Sequence, residues 1–432
     1  MIYYRWYGAY PSFYWNMKVI MQINYKIMKI LGVVTMKLSN KAMQISPSLT
    51  LAITAKAKKM KADGIDVIGF GAGEPDFNTP KNIQEAGIKA IQEGLTRYTA
   101  ASGIAELKDA IVKKFKADNN LNYKPSQIII STGAKQCLAN ALQAILNPGD
   151  EVLVGAPYWV SYPELIQLAD GKAVFVETRE ENAFKLTVEA LEKASTNKTK
   201  AFILNSPNNP TGTVYTKEEL VKLAEFAKKN DLLIISDEIY EKLLYGEEGH
   251  ISIASISEDA YNRTIVINGV SKAYAMTGWR LGYAASSEEI TKLMSNIQSH
   301  TTSNPCSISQ YASVEALNGD QSEVENMKKQ FKARRDFMVD RINSINNLSC
   351  VKPEGAFYVM VNISKVLGKE FDGKVIKDSL TFSDLLLEKE KVAVIPGIAF
   401  GVDNFIRLSY ATSMDNIKNG LDRIEKFVSS IG

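Results

Sequence analysis

The sequence has few cysteine and histidine residues, and this scarcity excludes several kinds of site. Only two histidines occur, His250 and His300, so a zinc site built from several histidines is not available. The three cysteines, Cys137, Cys306 and Cys350, are widely spaced and odd in number. This pattern argues against a disulfide framework and indicates a reducing compartment, so we expect a cytoplasmic protein.

The first 35 residues lack acidic side chains and differ from the rest of the chain. They contain four basic residues, Arg5, Lys18, Lys26 and Lys29. The lysines interrupt the apolar run, so the segment is a poor signal peptide and a poor membrane span. We expect residues 1–35 to be a dispensable or misassigned leader, with a functional anchor as the alternative.

The chain also lacks a strong charge of either sign. Its formal net charge is +3 over 432 residues, which is too small to indicate a nucleic-acid partner. The composition, 45% hydrophobic and 23% charged, is ordinary for a globular protein. The length suits two or three domains, and we expect neither a nucleic-acid nor a membrane partner.

Seven short apolar runs alternate with helical patterns between about residues 80 and 290. Most are apolar on both faces, as strands of a covered sheet must be. They are IIIS at 128–131, EVLVG at 151–155, AVFVE at 173–177, AFILN at 201–205, LLIIS at 232–236, TIVIN at 264–268 and LGYAA at 281–285. This alternation predicts an α/β fold with a mostly parallel seven-stranded sheet between helices.

Two helix starts carry local signals. In TPKNIQEAGIKAIQEG, Thr79 is a candidate cap, Pro80 suits the first turn, and Gly94 suits the end. Farther along, Thr216 with Glu219 three residues on is a capping box. We therefore expect helices after Pro80 and after Thr216.

The C-terminal part has a different pattern. After Leu293 the sequence becomes helical and charged, and the strand-like segments AFYVMV, VAVIPG and FIRLSYA follow. We expect a smaller α+β domain there, which the segment ending in GAGEPDF would join. The predicted division is 36–78 for that N-terminal segment, 79–315 for the large domain and 316–432 for the small C-terminal domain.

Groups able to bind one ligand follow five of the seven predicted strands. Ligands bind beyond the carboxyl ends of strands in open α/β sheets. The strands are followed by a TGAKQ turn that opens a helix, by APYW, by SPNNPTG, by DEIY with Asp237 and Tyr240, and by GVSK with Lys272. Each feature alone is common, since a TGA is usually a turn and a lone lysine usually a solvated surface group. Their joint placement indicates a site.

Pyridoxal phosphate (PLP) is a ligand that needs all of these groups. Its aldehyde takes an amine, its phosphate takes a helix N-terminus and an arginine, and its ring nitrogen takes a carboxylate. Its ring hydroxyl takes a phenol and an amide, and its flat face takes an indole. We therefore predict a PLP site in which Lys272 forms the Schiff base and Arg280 lies beside the phosphate.

From about Ser46 to the C-terminus, the chain resembles the class I aminotransferases of PLP fold type I. It is most similar to their bacterial aspartate aminotransferase branch. The segments that carry the resemblance are APYWVSYP, NSPNNPTG, SDEIYE, SKAYAMTGWRLGY and IRLSYATS. The resemblance implies a large PLP-binding domain with a smaller α+β domain.

The resemblance also implies a role for each matched position around the cofactor. Lys272, Asp237 and Tyr240 match the catalytic residues, namely the Schiff-base lysine, the partner of the pyridine nitrogen and a donor to the ring hydroxyl. The other matched cofactor-binding positions are Gly133, Ala134 and Lys135 in the phosphate loop, Trp159 on the ring face, Asn209 at the ring hydroxyl, Arg280 at the phosphate, and Tyr98 at the phosphate of the neighbouring subunit. Tyr98 thus implies a homodimer with shared active sites. Gly269 departs from the pattern, because other branches carry a phosphate-binding serine there.

Substrate-binding positions follow from the same resemblance. Arg407 matches the arginine that holds the α-carboxylate by a two-pronged contact, and Gly73 matches a backbone contact to the same group. Trp159, Asn209 and Lys135 are the other implied substrate contacts. Lys135 would meet the second carboxylate of a dicarboxylic substrate, unless it is only the first exposed residue of a helix. We also expect Ser48 and Thr50, in ISPSLT, to close over the site.

These positions predict transamination between amino acids and 2-oxo acids, without a metal. Lys272 would act as general base and then general acid, with ping-pong kinetics. The expected donor is aspartate or a related amino acid, and the expected acceptor is 2-oxoglutarate. Aromatic, alanine or prephenate aminotransferases and β-lyases of the same fold remain alternatives. A PLP-binding regulatory domain would need a DNA-binding module, for which residues 1–35 are too short, and an inactive α/β protein is the last alternative.

Overall fold

The structure is a computed structural model that describes residues 38–246 and 249–432. The predicted leader, 1–35, lies outside the described residues. The described helices are α1 (Asn40–Gln44), α2 (Leu49–Ala62), α3 (Lys81–Gln92), α4 (Ala105–Asn119), α5 (Ala134–Ile145), α6 (Ser161–Leu168), α7 (Val188–Ala194), α8 (Lys217–Lys229), α9 (Glu258–Arg263), α10 (Glu288–Thr301), α11 (Ser307–Asn318), α12 (Ser322–Ser344), α13 (Ser379–Glu390) and α14 (Met414–Ser429). None of the described helices is long and apolar enough to cross a membrane.

The described strands are β1 (Ile68–Gly69), β2 (Ile128–Ser131), β3 (Glu151–Ala156), β4 (Lys172–Glu177), β5 (Thr199–Asn205), β6 (Leu233–Asp237), β7 (Thr264–Gly269), β8 (Gly282–Ala285), β9 (Ser349–Cys350), β10 (Tyr358–Asn362), β11 (Glu370–Phe371), β12 (Lys374–Val375), β13 (Val392–Ala393), β14 (Ile395–Pro396) and β15 (Phe405–Ser409). Each of the seven predicted apolar runs forms one of the strands β2–β8, with ends that differ by at most two residues.

These seven strands form one sheet in the order β2-β8-β7-β6-β5-β3-β4. Strand β8 is antiparallel to both of its neighbours, and the other four pairs are parallel. The prediction of a mostly parallel seven-stranded sheet between helices is therefore confirmed. Consecutive residues of β5 pack on opposite faces of this sheet. Phe202 packs with Phe226 of α8 on one face, and Ile203 packs with Leu138 of α5 on the other.

The helix signals have mixed outcomes. The capping box at Thr216 is confirmed, because both of its hydrogen bonds with Glu219 form. The prediction that Thr79 caps α3 is wrong, since the N-cap is Pro80 and no side-chain capping bond is made. Instead the Thr79 hydroxyl donates to the carbonyl of Ala275 at 2.8 Å and accepts from the indole of Trp279 at 3.0 Å.

A second, antiparallel sheet, ordered β14-β15-β10-β9, forms in the C-terminal part. Strand β1 pairs in parallel with β13, so the segment before residue 78 packs on elements from the other end of the chain. Phe70 is buried there beneath Gly420 of α14, where an added Cβ would lie 2.4 Å from the phenyl ring. The domain boundaries at 78 and 315 remain predictions.

Candidate active site

Three parallel strands end side by side at the predicted site. Asn205 and Asp237, the last residues of β5 and β6, are paired in register, and Lys272 follows three residues after the end of β7. The Asn205 amide donates to the backbone oxygen of Asp237 at 2.8 Å, and its Oδ1 accepts the backbone N–H of Asn209 at 2.8 Å. Asn205 therefore ties the ends of two strands to the loop that carries Asn209.

Lys272 is a partly buried amine. Its Nζ donates to the backbone oxygen of Gly73 at 2.5 Å and lies 5.9 Å from the ring centroids of Tyr240 and Phe357. Burial lowers the pKa of Lys272 to about 8, although the charge of Glu74 opposes the shift. More of this amine is therefore neutral, and nucleophilic, near physiological pH than of an ordinary lysine.

Asp237 is a buried carboxylate with a phenol as its partner. The Tyr162 hydroxyl donates to Oδ2 at 2.7 Å, and the backbone N–H of Ile239 donates to Oδ1 at 3.4 Å. Burial raises the pKa of Asp237 to about 6, and the hydrogen bond from Tyr162 opposes the shift. The Tyr162 ring also meets Trp159 edge-on, with centroids 5.3 Å apart.

Arg407 is buried on β15 and two of its three nitrogens have partners. Nη1 donates to Asn209 Oδ1 at 3.0 Å and Nη2 to the carbonyl of Gly71 at 3.1 Å. Its Nε is buried without a hydrogen-bond partner among the described residues. Because such a donor is costly to leave unpaired, the guanidinium is suited to accept an additional anionic partner.

Tyr240 faces a second tyrosine. Its hydroxyl lies 2.9 Å from that of Tyr358, and both side chains are buried. The Tyr358 ring lies under the guanidinium of Arg407, with Cζ 4.3 Å from the ring centroid. Tyr240, the predicted donor to the ring hydroxyl, and Arg407, the predicted partner of the α-carboxylate, therefore both contact Tyr358.

The predicted phosphate loop opens α5. Gly133 has φ +85° and the helix begins at Ala134, so free amides point out of the helix end. A Cβ on Gly133 would lie 2.6 Å from Nη2 of Arg280, so only glycine lets the guanidinium approach this closely. At Gly269 a Cβ would lie 2.9 Å from the Cα of Gly282, so this chain has little room for the serine of other branches.

Lys135 projects from the first turn of α5 toward the indole. Its Nζ lies 5.0 Å from the Trp159 ring centroid, and partial burial, with the charge of Arg280, lowers the pKa of Lys135. It borders a cavity of about 1190 Å³ that Ser48 and Ile398 also line. The hydroxyls of Ser48 and Thr50 are 2.9 Å apart. Their closure over the site remains a prediction.

Tyr98 is the exception among the predicted residues, because it is 92% exposed and makes none of the contacts described above. The others form a connected set through the contacts above. The set contains a poised amine, a buried carboxylate, an open helix end with an arginine, an indole and two phenols. This donor set fits PLP, and the orphaned Nε of Arg407 fits a carboxylate beside it. The role of each residue remains a prediction.

Comparison with known proteins addresses the family. The model of the family described as aminotransferase class I and II matches residues 65–424. The chain belongs to this family. It is therefore an aminotransferase, and the family implies PLP as the cofactor.

Individual aminotransferases match over nearly their whole length. An aspartate aminotransferase from Bacillus sp. (strain YM-2) is 52% identical over 391 residues, which cover 90% of this chain and 99% of that protein. An aspartate/prephenate aminotransferase from Nitrosomonas europaea is 47% identical, covering 91% and 100%. The solved structure of an aspartate aminotransferase from Rhizobium meliloti superposes with a TM-score of 0.89 at 43% identity, covering 92% and 100%. These matches confirm the predicted PLP fold type I.

Three residues that contact the predicted site residues, Asn205, Tyr162 and Tyr358, were not predicted from the sequence. Asn205 opens the segment NSPNNPTG, and Tyr162 lies inside APYWVSYP. Both lay in segments already recognised, but nothing in their spacing showed which side chain reaches Asp237. Tyr358 lies in the strand-like run AFYVMV, 118 residues after Tyr240, so no local signal connects the two phenols.

Proposed function

We propose that this aminotransferase binds PLP through Lys272 and transfers the amino group of aspartate to 2-oxoglutarate. The observation that carries the proposal is the amine of Lys272 within one cluster with the buried Asp237 and the orphaned Nε of Arg407. When bound, the cofactor would supply an electron sink for bond breaking at the amino acid's α-carbon.

Each side chain would have a separate task in this reaction. Lys272, with its lowered pKa, would take the α-proton and return a proton as general base and acid. Asp237 would hold the proton on the ring nitrogen, which its ionised form favours. Arg407 would bind the α-carboxylate with its Nε and one Nη, a geometry that a lysine could not provide.

Donor preference would depend on Lys135. Its ammonium is next to the indole of Trp159 and on the same cavity as Ser48, where a second carboxylate of the substrate could lie. The relatives from Bacillus and Rhizobium are named for aspartate, which supports the same donor here. The Nitrosomonas relative is named also for prephenate, so prephenate is the second candidate acceptor.

The active unit would be a homodimer in a reducing compartment such as the cytoplasm. A tyrosine at position 98 that is 92% exposed is available to a neighbouring subunit, as the family resemblance implies. The three cysteines are all free, which suits a compartment that keeps thiols reduced.

Borohydride reduction tests the proposal. Purified protein loaded with PLP should retain the cofactor covalently on the peptide that contains Lys272, and mass spectrometry identifies that peptide. Lys272→Ala should lose the covalent label and reduce transamination by orders of magnitude. A variant that kept wild-type turnover with 2-oxoglutarate would contradict the assignment.

A further inference from the structure

We propose that Tyr358 is a positioning residue that serves both halves of the site: its ring supports Arg407, and its hydroxyl donates to Tyr240. The proposal rests on the proposed function, because it assigns these two neighbours to the substrate carboxylate and the cofactor. Tyr358 touches both groups although it lies on β10, outside the elements that supply the cofactor residues.

The contact with Arg407 follows from the antiparallel pairing of two strands. Tyr358 is paired with Ser409 and Met360 with Arg407, so Tyr358 and Arg407 are diagonal neighbours on one face. Cζ of Arg407 lies 4.3 Å from the Tyr358 ring centroid. This stacking, with the hydrogen bond to Asn209, restricts the guanidinium to one orientation before any substrate arrives.

The hydroxyl contact has a direction. Each phenol has one proton, so in the pair with 2.9 Å between the oxygens one tyrosine donates and the other accepts. Burial raises the pKa of both phenols, but Arg407 acts most directly on Tyr358 and opposes the rise there. Because Tyr240 must keep its proton for its predicted bond to the cofactor, Tyr358 is the donor in this pair. The proton of Tyr240 is then free for another partner.

The hydroxyl proton of Tyr240 is the one predicted to bind the cofactor. Tyr240 is the predicted donor to the ring hydroxyl of PLP, and accepting a bond from Tyr358 polarises its own O–H. The Tyr358 oxygen also lies near Gly73, at 3.6 Å from the position of an added Cβ. Since the Gly73 carbonyl accepts from Lys272, Tyr358 also packs against the backbone that holds the amine.

Two variants separate the contributions of the ring and the hydroxyl. Tyr358→Phe removes only the hydroxyl, whereas Tyr358→Met also removes the aromatic face at similar length. Tyr410→Phe is the control, because Tyr410 is another buried tyrosine whose hydroxyl donates to the carbonyl of Ala356 at 3.2 Å. Thermal unfolding of each apoprotein measures any general loss of stability.

For each PLP-loaded protein, the measurements are succinate binding and the pH titration of cofactor absorbance. Tyr358→Phe should bind succinate within about twofold of wild type, since a phenyl face also supports a guanidinium. Its absorbance midpoint should rise by about half a pH unit or more, because a weaker Tyr240 donor leaves the cofactor oxygen more basic. Tyr358→Met should weaken succinate binding roughly tenfold.

Three outcomes would overturn the proposal. The first is an unchanged absorbance midpoint in Tyr358→Phe. The second is succinate binding that weakens equally in Tyr358→Phe and Tyr358→Met. The third is a change of the absorbance midpoint or of succinate binding in Tyr410→Phe that is as large as in the Tyr358 variants. If Tyr358→Met fails to fold, the absorbance midpoint of Tyr358→Phe still decides the role of the hydroxyl. Failure of wild-type protein to retain PLP on Lys272 would instead contradict the proposed function.

Discussion

At the scale of single residues, burial shifts the pKa of an amine and the pKa of a carboxylic acid in one site toward neutral pH. The pKa of Lys272 falls to about 8 and that of Asp237 rises to about 6, and each shift is caused mainly by removal from water. Opposed shifts of this kind are typical of functional sites. The hydrogen bond from Tyr162 limits the shift of Asp237, so this tyrosine controls how much of the carboxylate stays ionised.

Tyr162→Phe should make cofactor binding more sensitive to acid. Without the donor, the pKa of Asp237 rises further above about 6. The ionised carboxylate, which would pair with the ring nitrogen, is therefore lost at a higher pH as acid is added. The measurement is the dissociation constant of PLP from apoprotein across pH 5–8, compared with wild type at each pH. Tyr158→Phe is the control, and identical curves for Tyr162→Phe and wild type would exclude the role.

Lys135→Ala should change which amino acids are used. Losing one charge-assisted contact to a second carboxylate should lower kcat/KM for aspartate by about ten- to a hundredfold, while an aromatic amino acid should lose little. Lys41→Ala is a matched control, because Lys41 lines the same cavity but pairs with Asp170 at 2.8 Å. Equal losses for aspartate and phenylalanine in Lys135→Ala would move this lysine to a cofactor or structural role.

At the scale of helices and strands, a hydroxyl can cap a helix only if nothing else competes for it. Thr216 caps α8 because its hydroxyl oxygen accepts the backbone N–H of Glu219, and the Glu219 side chain accepts the N–H of Thr216 in return. Thr79 precedes α3, but its hydroxyl is hydrogen-bonded to Ala275 and Trp279, which belong to the loop after β7. Both helices follow a threonine, but only Thr216 has a glutamate three residues on, whereas Asn82 stands at that position after Thr79. The tertiary contacts of Thr79 could not be predicted from this local pattern.

Thr216→Ala should reduce stability without changing catalysis. Removal of the cap should lower the free energy of unfolding by about 0.5–2 kcal/mol, because the N–H of Glu219 loses its acceptor. Urea unfolding at one fixed protein concentration measures the change. Lys217→Ala is the control on the same helix. Unchanged unfolding in Thr216→Ala, or a matching loss in Lys217→Ala, would contradict the capping role.

The sheet could be predicted because most of its strands are short and apolar on both faces, which few other structures satisfy. The strand ends then placed Asp237 and Lys272 at one edge without knowledge of side-chain contacts. The partners of these residues could not be predicted in the same way. Tyr162 reaches Asp237 through the direction of its side chain on α6, and Tyr358 reaches Tyr240 through a strand in another sheet.

At the scale of the whole molecule, the site draws on distant parts of the chain. Gly73 contacts Lys272, and Arg407 contacts Asn209 and Gly71, so both ends of the chain must be in place around the large sheet. If Tyr98 reaches a neighbouring phosphate site, each site also needs a second chain.

Mixed dimers test that dependence. Tyr98→Ala and Lys272→Ala should each be weakly active alone. In a dimer with one copy of each, one of the two sites would have both Tyr98 and Lys272 intact, so activity should recover toward half of wild type per dimer. Separately tagged chains allow the mixed dimers to be purified before assay. Mixed dimers no more active than either parent would mean that the site is not shared.

The pairing of β1 with β13 also has a consequence for how the protein is made. Ile68 pairs with Val392, so at about 5–20 residues per second the first strand waits on the order of 15–65 s for its partner to be translated. The large sheet lies entirely between residues 128 and 285 and can assemble during that interval. Phe70, fully buried in the finished protein, reaches its place only after the ribosome has made nearly the whole chain.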